Sequence, residues 1–452
     1  MKKQIAIFLA SVLSIGTIGF AACADDDKTY IPPAFETSGN VVFDAWRTDF
    51  ASRAVNIHHK DSATIEAMLI GLVPNETVVR LNNAQPEVIR PIWTYIGNAV
   101  SDSRVELGRT YNFEQGRTLG NVARDKGVPL EMAISIWAME SNYGANKGNI
   151  DIVRALATFA YQGRRTQLGE TELLAVADML KNGNATRETL IGSWAGAMGH
   201  TQFMPSSYLS KAIDGDGDGK RDIWNNPTDA LASTLNYLQA VGWKADEPWG
   251  RAAEVAQDFD YSLADGQYRP LTFWRANGLV NAWADLPNDW QARMLIPAGA
   301  NGPKFLVGVN YAAIRHYNAS DSYALSVALL ADRIAGGDYM PNNWPTNDPP
   351  LGRTASIELQ TILQGLGFDV GEIDGAPGAR TRLALQAFQK AHGYVADGYP
   401  SAHALTLLRD AAGIPSRGVA ETPARTAEDG TAPVRMFGPP QPAVAVAPPP
   451  MN

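Results

Sequence analysis

The stretch "YMPNNWPTNDPPLGR", residues 339–353, sets the first limit on what this chain can fold into. Four prolines and three asparagines fall within it. Each proline lacks a backbone donor and fixes φ, so no regular helix or central strand runs through such a segment. The 452-residue chain is therefore expected to divide here, with 338–353 as a flexible linker between two folded units. Upstream, 35–337 reads as one globular block without low-complexity breaks. Downstream, 354–413 reads as a second, compact unit. The remainder, 414–452, is Pro/Ala-rich, cannot bury a core, and is expected to be disordered.

Within 35–337 most of the pattern is helical. "TELLAVADMLKNG" and "DALASTLNYLQAVGW" space their apolar residues by helical turns, and Gly and Asn close many such runs. From about Trp249 to Asn301 the pattern is less periodic and richer in Trp, Pro and Gly, which suggests a small, less regular insert. The fold class is thus mainly α (α+β). With 45% hydrophobic residues and a formal charge of −9, nothing is basic enough for nucleic acid.

The first residues, "MKKQIAIFLASVLSIGTIGFAACADDDK", place Lys2 and Lys3 before an apolar run from Ile5 to Phe20. The run is short for a membrane span and ends in small residues, so 1–24 reads as an export signal. Ala22-Cys23-Ala24 fits a small-x-small cleavage site. "FAAC" also bears a faint likeness to a bacterial lipobox, in which Cys23 would carry lipid and tether the protein to the outer membrane. Cys23 is the single cysteine, so the exported body has neither a disulfide nor a thiol nucleophile. No later segment is long and apolar enough to cross a bilayer. A periplasmic location is expected.

One helix carries an unusual feature. Pro129 suits a helix start, and "PLEMAISIWAME" runs apolar on nearly every side before meeting Glu140 and ending near Tyr143-Gly144. Ile136 and Trp137, four and three residues earlier, share the face of Glu140. An acid beside such groups is desolvated, which raises its pKa from about 4.3 toward about 6, as an acid catalyst on a glycosidic bond requires. By itself a lone Glu near a helix end is more often a surface residue. Downstream, "GSWAGAMGHTQFMPSSY" (192–208) offers three glycines with Ser193, Gln202 and Phe203, either a structural turn or backbone packed around a cleft.

Together, "WAMESNYG" and "GSWAGAMGHTQFMPSSY" resemble the B-type lytic murein transglycosylases, relatives of the lysozyme fold. The likeness covers almost all of 35–337, including "RLNNAQPE" (80–87) and "AAIRHYNASDSYALSVALLADRI" (312–334). It implies a lysozyme-like domain that cuts between N-acetylmuramic acid and N-acetylglucosamine and leaves a 1,6-anhydro ring. Glu140 matches the single acid/base. Ordinary glycosidases place two carboxylates across the bond; here the substrate's own C6 hydroxyl would be the nucleophile. The resemblance also assigns Arg164 and Arg165 to a basic pair near the saccharide. Ser193 and Gln202 match polar contacts, and Phe203 a stacking surface. Tyr237, Tyr317, Asn318 and Tyr323 match the remaining cleft wall.

"DGDGDGKRDIWNNPTDA" sets Asp214, Asp216 and Asp218 at alternate positions with Gly219 sixth, the opening of an EF-hand calcium loop. The Lys220 carbonyl would be the seventh-position ligand, and Asp222 could act through water. Position twelve is Asn225 where a bidentate Glu belongs, and the resemblance suggests that Asp229 supplies the missing carboxylate. Such a calcium would be structural, with no cofactor in the chemistry; the bland alternative is an acidic turn without metal. Finally, "LQTILQGLGFDVGEIDGAPGARTRLALQAFQKAHGYVADG" (359–398) resembles the small three-helix peptidoglycan-binding domain, in which Asp374, Gly375 and Thr381 read as structural as readily as functional. A hydrolytic muramidase using the same Glu140, and a wall-binding protein without chemistry, remain the alternatives. Peptidoglycan strands are the expected partner; the sequence names no protein partner.

Overall fold

The computed structural model describes residues 29–83, 90–163 and 165–415. The export signal with Cys23, Arg164, residues 84–87 of "RLNNAQPE" and all but 414–415 of the C-terminal tail lie outside them. Among the described residues are sixteen α-helices, one 3₁₀ turn and six short strands.

The helix Leu130–Ser141 explains the arrangement of its surroundings. Ten of its twelve residues are buried, and a helix apolar all round must be enclosed on every side. Asp102–Lys126, Pro227–Ala240 and Asp321–Ile334 pack around it. Ser135 Oγ donates to the Val327 carbonyl at 2.7 Å. This helix and its neighbours form one apolar core. A second core gathers Val41–Asn56, Ile152–Tyr161, Thr166–Lys181 and Pro205–Lys211. Tyr237 and Tyr317 lie partly buried against both cores, so they mark the seam between two lobes.

The segment read as less regular is a small β-unit. Strands Gly250–Ala253, Lys304–Val307, Gln291–Leu295 and Arg269–Pro270 form, in that order, an antiparallel four-stranded sheet. It encloses its own core around Trp274 and Trp290, and Trp274 Nε1 donates to the Ala292 carbonyl at 2.9 Å. Strands of two to five residues are too short for alternation to be read.

The C-terminal unit consists of helices Arg353–Gly365, Ala379–Ala391 and Ala402–Ala411 around Leu359, Leu363, Phe388 and Leu408. Gln360 ties its turn: Nε2 reaches Asp374 Oδ1 and Thr381 Oγ1, while Oε1 accepts from the Gly375 amide. Asp374, Gly375 and Thr381 therefore have structural roles here. The linker is laid down along the molecule. Trp344 packs on Trp93 with ring centroids 5.9 Å apart, Leu351 is buried in the C-terminal core, and the Asp348 carbonyl accepts from Tyr399 at 3.2 Å. The expected flexibility is thus corrected: the prolines exclude regular structure, and the aromatic and apolar side chains between them still pack.

Candidate active site

Glu140 is the penultimate residue of its helix. The chain stops the helix with three successive left-handed residues, Asn142, Tyr143 and Gly144, at φ 51°, 57° and 86°. Gly144 is required twice over, since its φ favours glycine and a Cβ there would collide with the His200 ring. His200 fixes this corner. Its Nδ1 accepts from Trp137 Nε1 at 3.1 Å, and its carbonyl accepts from Ser141 Oγ at 2.5 Å. Burial and, secondarily, the Lys147 charge hold its imidazole down to about 4, so it is neutral.

The carboxyl of Glu140 is pushed up to about 8, chiefly by burial. Its one hydrogen-bond partner among the described residues is Tyr323, whose hydroxyl donates to Oε1 at 2.6 Å and pulls the other way. Trp137 points elsewhere, packing on Tyr111, Tyr143 and His200. The groups in the field of Glu140 are tyrosines: burial and then the carboxylate raise Tyr95, Tyr317 and Tyr323 alike. Tyr95 was not foreseen from the sequence, where it is one aromatic in a short helix, Ile92–Ala99. His200 lay inside the glycine-rich motif without being singled out.

The glycine-rich segment is pinned by backbone pairing. Gly192 pairs with Ile150, and Met198 bridges both Gly192 and Phe203. Ser193 Oγ accepts from the Ala197 amide at 3.1 Å, closing the turn. Gln202, itself at φ 55°, spends its amide nitrogen on the Lys147 and Gly199 carbonyls at 3.2 and 2.9 Å. Phe203, expected as a stacking surface, is only 2% exposed. It backs Tyr237 and Tyr317, with centroids 5.8 and 6.1 Å away, and these two tyrosines are the partly exposed members. Their hydroxyls are held by the His316 and Thr201 carbonyls at 3.0 and 2.6 Å. Tyr323 is 1% exposed, a buried partner of the acid instead of a wall. Asn318 Oδ1 accepts from the Ser320 amide at 3.1 Å. Arg165 lies over the Phe159 ring, 5.7 Å from its centroid.

In the acidic loop, Asp214, Asp216 and Asp218 each bring an oxygen within 4.8 Å of the others. Such spacing fits a hard cation whose oxygen ligands stand about 2.3–2.6 Å away. Backbone amides of Gly219 and Gly217 hold the Asp214 carboxyl below its ordinary range, although slight burial opposes them. Asp229 is not in this cluster. Fully buried, it accepts from the Gly215 and Asp222 amides at 2.8 Å each and straps the loop's ends together. Lys220 donates its amide to Asp218 Oδ1 at 2.8 Å.

Comparison with known proteins places these features in context. Residues 42–332 match the transglycosylase SLT domain, and 353–408 match a putative peptidoglycan binding domain. The membrane-bound lytic murein transglycosylase B of Escherichia coli (strain K12) is 30% identical over 302 residues, 63% of this chain and 81% of that protein. The crystal structure of SltB3 from Pseudomonas aeruginosa in complex with NAG-anhNAM-pentapeptide is 43% identical, with a TM-score of 0.77 over 82% of this chain and all of that one. The Escherichia coli lytic transglycosylase Slt35 in complex with calcium is 27% identical, with a TM-score of 0.57 over 68% of this chain and 96% of its own.

Proposed function

This chain belongs to the transglycosylase SLT family as a lytic murein transglycosylase with an appended peptidoglycan-binding domain, and we propose that Glu140 is its single acid/base. The observation that carries this assignment is the carboxyl raised to about 8 with Tyr323 on one oxygen and, among the described residues, no second carboxylate acting on it. At neutral pH the group holds its proton. It delivers that proton to the oxygen linking N-acetylmuramic acid to N-acetylglucosamine, and the C1–O bond breaks. The carboxylate left behind takes the proton of the muramoyl C6 hydroxyl as its oxygen bonds to C1. The products are a free 4-hydroxyl and a 1,6-anhydro ring, and Glu140 returns to its starting state. No water enters, so no second carboxylate is needed to activate one.

Tyr237 and Tyr317 supply the partly exposed aromatic faces at the seam, suited to sugar rings. Ser193, Gln202, Asn318 and Arg165 serve as polar neighbours, and Phe203 supports the two tyrosines from behind. Arg164 keeps the role implied by the resemblance. Asp214, Asp216 and Asp218 would hold a structural calcium with the Lys220 carbonyl, and Asp229 would shape that loop from inside. The metal would rigidify the segment after the glycine-rich motif and takes no part in the chemistry. Export to the periplasm follows from residues 1–24, and the membrane-bound description of the Escherichia coli relative supports a tether at Cys23.

Mass spectrometry of muropeptides released from purified sacculi tests the main assignment. The wild type is expected to release products one water lighter than reducing muropeptides, and Glu140→Gln none. Reducing-end products would favour hydrolysis by a muramidase instead.

A further inference from the structure

A cavity of about 440 Å³ lies where the lysozyme-like core, the β-insert and the C-terminal unit meet. Its wall carries arginines 90, 293, 315 and 382 and aspartates 265, 321 and 397. The aspartates are already engaged. Asp265 holds Arg269 at 2.6 Å, and Asp321 holds Arg315 at 3.1 Å. Asp397 accepts from the Ala300 amide and from Gln389 Nε2, both at 2.9 Å. That leaves Arg90, Arg293 and Arg382, whose guanidinium groups make no hydrogen bond or ion pair among the described residues. Arg293 rests over the Tyr311 ring. Arg382 feels the charges of Asp321 and Asp397 but bonds to neither, and burial draws its pKa down. An unpaired cation partly withdrawn from water is costly, and the missing partner is an anion.

A second feature points the same way. The helix Ala379–Ala391 begins at Gly378 without a side-chain cap, and Pro377, Gly378 and Ala379 line the cavity. The open N–H groups of a first helical turn attract negative charge. The cavity also shares two helices with the site around Glu140. Asp321 and Ser322 line it, and the next residue, Tyr323, bonds Glu140. The helix Ile92–Ala99 sends Trp93 to the cavity and Tyr95 into the field of Glu140.

We propose that Arg293 and Arg382, with Arg90 and the Gly378 helix start, bind the carboxylates of the peptide stem carried by the muramoyl unit in the cleft. This rests on the murein-cleaving function assigned above. The sugar rings offer no anion of their own, whereas the stem ends in and branches with free carboxylates. Trp93, Ile296 and Pro297 on the same wall suit the methyl groups of its alanines. The two unpaired guanidinium groups come from different units, the insert and the C-terminal domain, so a stem held between them reads the presence of both.

Calorimetric titration of the full chain tests this with three ligands: NAG-anhNAM-pentapeptide, NAG-anhNAM with its lactyl carboxyl capped as the amide, and the pentapeptide ligand with its carboxylates amidated. The peptide-bearing ligand is expected to bind about tenfold tighter than the bare disaccharide, as charge-assisted hydrogen bonds allow. Amidation, or the double change Arg293→Gln/Arg382→Gln, is expected to erase that margin, with Arg382→Lys keeping part of it. Equal affinity of charged and amidated ligands for the wild type overturns the inference without relying on any variant. A double variant of unchanged melting temperature that keeps the full margin overturns it equally. Failure of the wild type to bind even the bare disaccharide would strike the murein reading itself, and this inference with it.

Discussion

At the scale of residues, the chemistry depends on which groups surround one carboxyl. The sequence reading found Glu140 and foresaw a raised pKa, but credited Ile136 and Trp137 on the same helical turn. Helical spacing reveals neighbours along one helix; it does not reveal what the facing helices bring. The partner that matters, Tyr323, stands 183 residues away, and only the family likeness placed it near the cleft. The geometry gives it a sharper expected effect. Its hydrogen bond holds the carboxyl below where burial alone would put it, and stabilises the anion formed in mid-reaction. Tyr323→Phe is expected to lower the rate about 10- to 100-fold, the worth of a hydrogen bond to a charged group. The alkaline limb of its pH–rate profile should move upward from about pH 8. An unmoved limb would remove Tyr323 from any direct action on the acid.

The same carboxyl makes a stability prediction. An unfolded chain gives up this proton near the ordinary value of 4.5, whereas the folded chain keeps it to about 8. The folded state therefore loses stability from this group as pH rises through that window. Glu140→Gln removes the loss, so above pH 8 the variant should be more stable than the wild type by on the order of 2–4 kcal/mol. Denaturant titrations at pH 5 and pH 9 check this. The advantage should be small at the first and large at the second.

At the scale of elements, the glycine-rich motif was legible as tight backbone but not as a lock on the catalytic helix. That role depends on His200 meeting Gly144 and Trp137 across the fold. Gly144→Ala must fit a Cβ against the His200 ring at a φ of 86°. A cost of about 2–4 kcal/mol in unfolding free energy is expected, and the helix end carrying Glu140 should loosen with it. The acidic loop shows the opposite balance. Its three alternating aspartates were plain in the sequence because EF-hand ligands follow fixed local offsets. The placement of Asp229 was not, because it sits on the next helix and faces inward. Calcium is expected to raise the melting temperature by several degrees. Asp214→Asn should abolish that rise, and Asp229→Asn should lower the melting temperature even with chelator present. No response to calcium in the wild type would leave the loop as a plain acidic turn.

At the scale of the whole molecule, composition points to a linker and says nothing of its mechanics. Proline and asparagine announce that no ladder of backbone hydrogen bonds will form; they are silent on whether Trp344 and Leu351 find something to pack against. Both do, and the C-terminal unit gains further hold from Gln386 and Lys390, which reach Tyr261 and Ser262 of the insert at 2.9 and 3.0 Å. If that contact set determines how the units move, the wild type should unfold in one calorimetric transition, because two cores sharing an interface melt together. Trp344→Ala removes the tilted ring contact with Trp93 and exposes part of the core beneath. Losing a large, partly buried aromatic side chain costs about 1–3 kcal/mol. The loss falls on the face of the lysozyme-like core that the linker covers and loosens the linker's hold on it, so the expected result is a split into two transitions, with the three-helix unit melting separately. A single transition shifted as a whole would mean that the insert contacts alone suffice to couple the units. In that case Gln386→Ala with Lys390→Ala, added to Trp344→Ala, is the combination expected to separate them.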